Sequence, residues 1–143
     1  MNAVPTKTVR FLLVQAAGID YLLPLDRVRR VHAGLRLHPF PGAAPVVAGL
    51  AEVGGEPLVV LDLARLAGAA NSSTPATPLT VIAHVGPPTA LELAGLAVAD
   101  VLDIVEVPAE ALARVRDGVV SGEAVAAGRT ARVLDLEVVG AGP

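Results

Sequence analysis

Cysteine and tryptophan are both absent from the chain. Without thiols there can be no disulfides and no thiolate-held metal. Aromatic residues make up only 2% of the 143 positions: Phe11, Tyr21 and Phe40. That scarcity removes the stacking platforms on which single-stranded nucleic acids are held. Lysine occurs once, as Lys7, and the one local cationic cluster is Arg27, Arg29 and Arg30, near His32. A formal net charge of -3 with no dense basic run is the wrong footprint for a duplex, which demands many phosphate-neutralising cations. Long apolar runs are missing too. Asp, Glu, Arg or Pro interrupts every hydrophobic stretch well before the roughly 18 residues of a membrane span. Residues 1–8 lack the apolar centre of a secretion signal. The expectation is a soluble cytoplasmic protein with no nucleic-acid partner and no membrane insertion.

Aliphatic residues dominate what is present. Hydrophobic residues reach 53%, enough for a packed core built from Val, Leu, Ile and Ala. A repeat runs through them. Val60-Leu61-Asp62-Leu63 recurs as Val133-Leu134-Asp135-Leu136, 73 residues later. At the same offset Val46-Val47-Ala48-Gly49 falls on Val119-Val120-Ser121-Gly122, and Gly55 falls on Gly128. Leu25, Val28 and Val31 fall on Val98, Val101 and Ile104. One gap-free offset linking separated segments, Gly and Asp positions included, indicates two halves of common structural origin. The small, polar, Pro-rich stretch 68–78 reads as the linker between a first β-barrel half, 9–67, and a second, 79–139.

Each half reads as short strands and turns. Val9 to Val14 is an apolar strand and the segment around Gly18 a hairpin turn, with Tyr21 to Leu25 returning. Pro24 favours an edge position or a bulge there. The spacing in Asp26–Val31 fits a short helical turn or a bent strand. Pro39 to Pro45 is an irregular loop, and Pro57 to Leu63 a strand buried on both faces. In the second half Leu79 to Val85 is a strand, and Leu91 to Val107 an extended stretch broken by Gly95. Pro108 to Val115 is predicted to form one or two helical turns, and Ala131 to Val138 the last strand. The fold class is all-β, as two small five-stranded β-barrel subdomains with short helical turns.

Catalytic constellations do not emerge. No glycine-rich phosphate loop precedes a helix. His32, His38 and His84 lack zinc-hydrolase spacing and read as surface or packing residues. Asp100, Asp103 and Glu106 would share a helix face, but the surrounding valines favour a bulged strand that scatters them. Asp62 and Asp135 are expected to accept backbone N–H bonds where a strand runs into a helical turn. No cofactor, metal or catalytic residue is assigned.

Several segments together resemble the CheW-like family of chemosensory coupling proteins. They are Phe11-Leu12-Leu13-Val14, the turn at Gly18, Tyr21 through Val31, Pro39 through Leu50, Gly55 through Leu63, Gly95-Leu96-Ala97-Val98 and Val101 through Val105. The resemblance covers residues 9 to 138. It implies one CheW-like domain over 1–143, no enzymatic activity, and an adaptor linking the cytoplasmic tip of a methyl-accepting chemoreceptor to the regulatory domain of a CheA-type histidine kinase. Another CheW-like protein is a further partner in view. Carried over by position, the partner-binding face falls on Leu25, Val28, Val31, Gly49, Val53, Val81, Ile82, Val98, Val101 and Leu102.

Three positions depart from the family pattern. Gly54 stands where the family has the arginine of an Arg-Gly pair. The aspartate after Gly-Leu-x-Val is Ala99, with Asp100 one place on. The sequence ends at Pro143, where relatives commonly continue into a terminal helix. The first two departures suggest an accessory coupler with one partner surface weakened. The competing class is a small-ligand-binding or stand-alone regulatory β-barrel, which would show a dry pocket with convergent polar groups.

Overall fold

The computed structural model describes residues 7–69 and 74–140. Eleven strands occur among them, with a single one-turn α-helix and three 3₁₀ turns. The first half contributes β1 (Thr8–Ala16), β2 (Ile19–Pro24), β3 (Val28–His32), β4 (Val47–Val53), β5 (Glu56–Asp62) and α1 (Leu63–Leu66). The second contributes β6 (Leu79–Val85), β7 (Glu92–Val98), β8 (Asp100–Pro108), β9 (Ala113–Asp117), β10 (Val120–Ala126) and β11 (Arg129–Leu134).

The strands form two sheets, and both sheets draw on both halves. A six-stranded sheet runs β8-β1-β2-β11-β10-β9, and a five-stranded sheet runs β3-β6-β7-β5-β4. The all-β class holds, with one strand more than expected in the first sheet. The division into 9–67 and 79–139 as separate barrels does not hold. Hairpin β1–β2 leaves its own half and lies beside β11, while β6–β7 lies beside β5. Each exchange is sealed by a parallel pairing: Tyr21 and Leu22 against Arg132 and Val133, and Val60 to Asp62 against Gly95 to Ala97. Parallel partners are joined by long crossovers and leave no turn signature in the sequence, so the exchange was not legible there.

The two sheets nevertheless follow one plan. Read from β8 and from β3, every successive pairing has the same sense, antiparallel twice, then parallel, then antiparallel. The 73-residue repeat is most visible in hairpins β4–β5 and β10–β11, where strands and turn coincide at that offset. Both hairpins carry a bulge, between Val47 and Gly49 in one and between Val120 and Gly122 in the other.

Three apolar clusters follow from the alternation of side chains along these strands. Leu12, Val14 and Ala16 of β1 face the other sheet, where Val81, Ala83 and Leu96 meet them. The opposite face of β1, with Phe11 and Leu13, joins Leu22, Val107 and Ala131 inside the six-stranded sheet's own curl. Leu58, Val60, Ile82 and Ala97 do the same within the five-stranded sheet. Strands packed on both faces read as continuous apolar runs.

Several local expectations need correction. Pro24 ends β2, a central strand, at a point past its pairing with β11, so its missing N–H costs no bond. Gly95 lies inside β7 and breaks nothing. A Cβ there would stand 2.8 Å from Thr80 Cγ2 and 2.9 Å from Val60 Cγ2, so the residue is small because its neighbours crowd it. The break in the 91–107 stretch falls at Ala99, whose N–H donates to the Gln15 carbonyl. Pro108 to Val115 yields a single 3₁₀ turn, Ala109–Ala111, followed by strand β9. The last strand stops at Leu134, and Leu136–Val138 is a 3₁₀ turn. Segment 26–31 takes both forms offered: a 3₁₀ turn at Leu25–Arg27, then β3.

The described part of the linker is pinned. Thr74 donates its hydroxyl to Asp62 Oδ2 at 2.8 Å, and the Ala76 carbonyl accepts from Leu37 N–H. The rest of that stretch, 70–73, lies outside the described residues.

Candidate partner-binding edges

Partner binding needs surface, and burial divides the ten predicted residues. Val81 and Val98 belong to the core between the sheets and Ile82 to the core of the five-stranded sheet. Gly49 is buried on β4. None of these four can offer a side chain to a partner, and their placement on a contact face is corrected accordingly: they fill cores. Leu25, Val28 and Val101 are half-buried against the inter-sheet core, and Val53 against the other. Val31 and Leu102 are exposed, at 42% and 39%.

Gly49 still matters, through its backbone. A Cβ at this position would sit 2.7 Å from the His38 carbonyl oxygen, which accepts the Leu50 N–H at 2.8 Å. Any side chain must push that strand crossing apart. Gly122, its repeat partner, meets the Ala113 carbonyl at 2.5 Å in the same way.

Of the remaining six, Val28, Val31, Val101 and Leu102 gather on two edge strands, while Leu25 lies in the 3₁₀ turn before β3 and Val53 at the end of β4. β3 ends the five-stranded sheet and β8 ends the six-stranded one. Both carry a bulge at the same place in the repeat, at Arg29 between Val28 and Arg30, and at Leu102 between Val101 and Asp103. A bulge re-aims the flanking side chains. On each edge the valine before the bulge packs against the inter-sheet core, and an apolar residue after it stays in solvent. These exposed residues are Val31 on β3 and Ile104, 51% exposed, on β8. Ile104 is not among the residues expected at the partner face, although the 73-residue offset pairs it with Val31.

Charge separates the two edges. Arg29 and Arg30 are exposed on β3, with His32 beside them. β8 exposes Asp100, Asp103 and Glu106. Asp100 and Asp103 each turn back to accept the next residue's N–H, at 2.9 and 2.8 Å, and Glu106 faces Arg10 at 3.7 Å. The bulged strand scatters these carboxylates as expected, and no metal-holding cluster occurs among the described residues.

Arg27, grouped with Arg29 and Arg30 by sequence, has a different task. Its side chain is only 15% exposed. It donates to the carbonyls of Gly86 at 2.9 Å and His84 at 3.5 Å and pairs with Glu137 at 3.3 Å. One guanidinium thereby ties the start of β3 to the end of β6 and to the turn after β11, a use suited to its planar set of five donors. The Asp caps behave as expected. Asp62 Oδ1 accepts Arg65 N–H at 3.1 Å, and Asp135 Oδ1 accepts Glu137 N–H at 3.0 Å.

At the departures, Gly54 and Gly55 form the β4–β5 turn with φ of 59° and 84°. Ala127 and Gly128 repeat it with 52° and 75°, as do Ala17 and Gly18 in β1–β2. These positive values suit the tight turns that match strand twist. A cleft of about 530 Å³ lies between Ala16, Asp62, Thr74, Pro78 and Ala97. It is open and lined mostly by small apolar groups, and its one buried carboxylate, Asp62, already accepts from Arg65 and Thr74. That is unlike the dry pocket with convergent polar groups that a ligand-binding barrel would show.

A family model described as CheW-like domain matches residues 10–141. Among solved structures the chain is similar to the scaffolding protein TtCheW from Thermoanaerobacter tengcongensis, with a TM-score of 0.76 at 18% identity, over 92% of this chain and 91% of that one. The likeness is one of fold. No curated protein matches the sequence.

Proposed function

The chain belongs to the CheW-like domain family, and we propose that it is a non-enzymatic coupler joining a methyl-accepting chemoreceptor to a CheA-type histidine kinase. The observation that carries this reading is the family match across residues 10–141, nearly the whole chain. The solved relative is itself a scaffolding protein. In this reading residues 1–143 act as one unit in the cytoplasm, recruited to receptor clusters. No helix among the described residues is long and apolar enough to cross a membrane. The exposed apolar residues Val31, Leu102 and Ile104 on the two edges supply contact surface of the kind that interfaces use.

The coupler is an accessory one, with its kinase contact weakened. Gly54 offers no side chain where the family presents an arginine, and its turn is exposed and clear of neighbours. Calorimetric titration of the full chain against the cytoplasmic fragment of its genomically neighbouring receptor, and separately against the kinase regulatory domain, tests both parts. The expected outcome is micromolar receptor binding and kinase binding at least about tenfold weaker. Equal, tight binding to both overturns the accessory reading. Binding to neither overturns the coupler.

A further inference from the structure

Leu25 and Val28 are half-buried: part of each packs against the core between the sheets and the rest meets solvent. What a partner meets there depends on how the 3₁₀ turn Leu25–Arg27 is held. The turn holds itself poorly. It buries no residue, Pro24 before it provides no side-chain cap, and Val28 N–H closes it on the Leu25 carbonyl. Among the described residues Arg27 is the only side chain of the turn that makes a hydrogen bond. Its anchors are themselves fixed. Gly86, whose carbonyl takes the 2.9 Å bond, donates its N–H to the Leu136 carbonyl at 2.8 Å. With φ of 90° and the Ala90 carbonyl oxygen 2.9 Å from any added Cβ, that position admits only glycine. Glu137, the carboxylate partner, donates its N–H to the Asp135 cap. The corresponding corner of the second half, Val98 to Val101, is tied differently. There Ala99 N–H donates to the Gln15 carbonyl at 2.8 Å, and Asp100 caps Val101 N–H at 2.9 Å. One corner is fixed to the neighbouring strand through main chain, the other through a single guanidinium.

We infer that Arg27 is a positioning residue for receptor binding. It holds Leu25 and Val28 at the angle where their open sides make apolar contact, and does not itself touch the receptor. The inference rests on the coupler reading. That reading keeps the receptor contact and puts the weakened kinase contact at the Gly54 turn, on a different hairpin, so the receptor is the partner that a loosened Leu25–Val28 corner loses. Arg27 acts through its neighbours because its guanidinium is already engaged by two carbonyls and a carboxylate and is largely buried. A corner held before the encounter need not be ordered at the moment of contact, and removing the tie moves that ordering cost into the binding step.

Calorimetric titration of the full chain with the receptor's cytoplasmic fragment, and separately with the kinase regulatory domain, tests this. Arg27→Ala should bind the receptor about tenfold more weakly than wild type while kinase affinity changes less than about twofold. Arg27→Lys, whose ammonium cannot serve two carbonyls and a carboxylate at once, should fall between them. Gly122→Ala controls for stability, since it disturbs a hairpin away from the turn; it should keep wild-type receptor affinity well below its melting transition. The loss in Arg27→Ala should be the same at 0.05 M and 0.5 M salt, because the guanidinium acts within the protein and not as a charge on the partner. Unchanged receptor affinity in Arg27→Ala overturns the inference and leaves the coupler reading standing. So does an equal loss in Gly122→Ala, or toward both partners, which would be general destabilisation. A loss that disappears at high salt, or full rescue by Arg27→Lys, would make Arg27 a direct charge contact and also overturns the inference. A wild-type chain that does not bind the receptor overturns the coupler reading, and the inference falls with it.

Discussion

β3 and β8 show how a duplicated fold divides its labour. The two strands hold corresponding edges, share a bulge, and keep an apolar pair at the same spacing, Val28 with Val31 and Val101 with Ile104. Between those fixed points the residues diverge without restraint. Arg29 answers Leu102 and Arg30 answers Asp103, and just before them the half-buried clamp Arg27 answers the exposed Asp100. Of the retained pairs, Val28 and Val101 pack against the core between the sheets, where a change of shape carries a packing penalty, while Val31 and Ile104 keep an apolar residue in solvent. At Arg29 and Leu102, and at Arg30 and Asp103, what differs faces solvent, where a change of charge costs the fold little and alters the choice of partner. Equivalence of the halves is thus a statement about packing, and difference between them a statement about contacts.

The hardest test of that equivalence lies in the bulged hairpins. Gly49→Ala and Gly122→Ala each force a Cβ against a carbonyl oxygen, at 2.7 and 2.5 Å, and the opposing atom is backbone in both cases. Each should lose about 2–3 kcal/mol of unfolding free energy in urea denaturation, at the upper end for overpacking. Gly49→Asp should cost more and abolish coupling through loss of fold. If Gly122→Ala unfolds the protein while Gly49→Ala is silent, the hairpins are alike in outline only, and the repeat loses its physical basis.

Arg27 and Asp100 probe the opposite case, two residues at one repeat position with unlike roles. Arg27→Ala leaves the Gly86 and His84 carbonyls without their side-chain donor and frees the start of β3, for a loss of about 1–2 kcal/mol. Asp100→Ala removes an exposed carboxylate that caps only its neighbour's N–H, so stability should stay within about 0.5 kcal/mol of wild type. Thermal melts of the two variants side by side decide the matter. Equal losses would mean that Arg27 does not tie the sheets together.

The same division explains what could be read in advance. The all-β class, the repeat, the tight turns and the capping role of Asp62 and Asp135 were legible because each rests on local chemistry. The exchange of hairpins was not, since the parallel contacts of Tyr21 with Arg132 and of Val60 with Gly95 join segments with no shared turn. Among the predicted contact residues, Val81, Ile82 and Val98 failed for a related reason. A strand apolar on both faces gives no sign of which residue meets solvent, and only the position of β6 and β7 inside the sheet settles it. Val31 and Leu102 are exposed because edge strands leave one side open. Ile104 stands at the repeat position of Val31, so the 73-residue offset alone points to it. Arg27 looked like one of three surface cations, and nothing local marked it as a clamp.

The smallest expected effect concerns the turns, and it reaches furthest into function. Gly54 and Ala127 hold corresponding first positions, both with positive φ near 55°. Ala127 shows that a side chain is tolerated in this geometry, at the modest steric cost of a left-handed conformation. Gly54→Ala should therefore lose about 0.5–1 kcal/mol, and Ala127→Gly should gain a similar amount or less. Gly54→Arg should cost no more than Gly54→Ala, because nothing lies within 4 Å of the added Cβ. It also restores the family's arginine to an exposed turn. If the accessory reading is right, that variant binds the kinase regulatory domain several-fold more tightly than wild type while receptor affinity is unchanged. Were kinase affinity indifferent to arginine at residue 54, the weakness would have to lie elsewhere than in this turn.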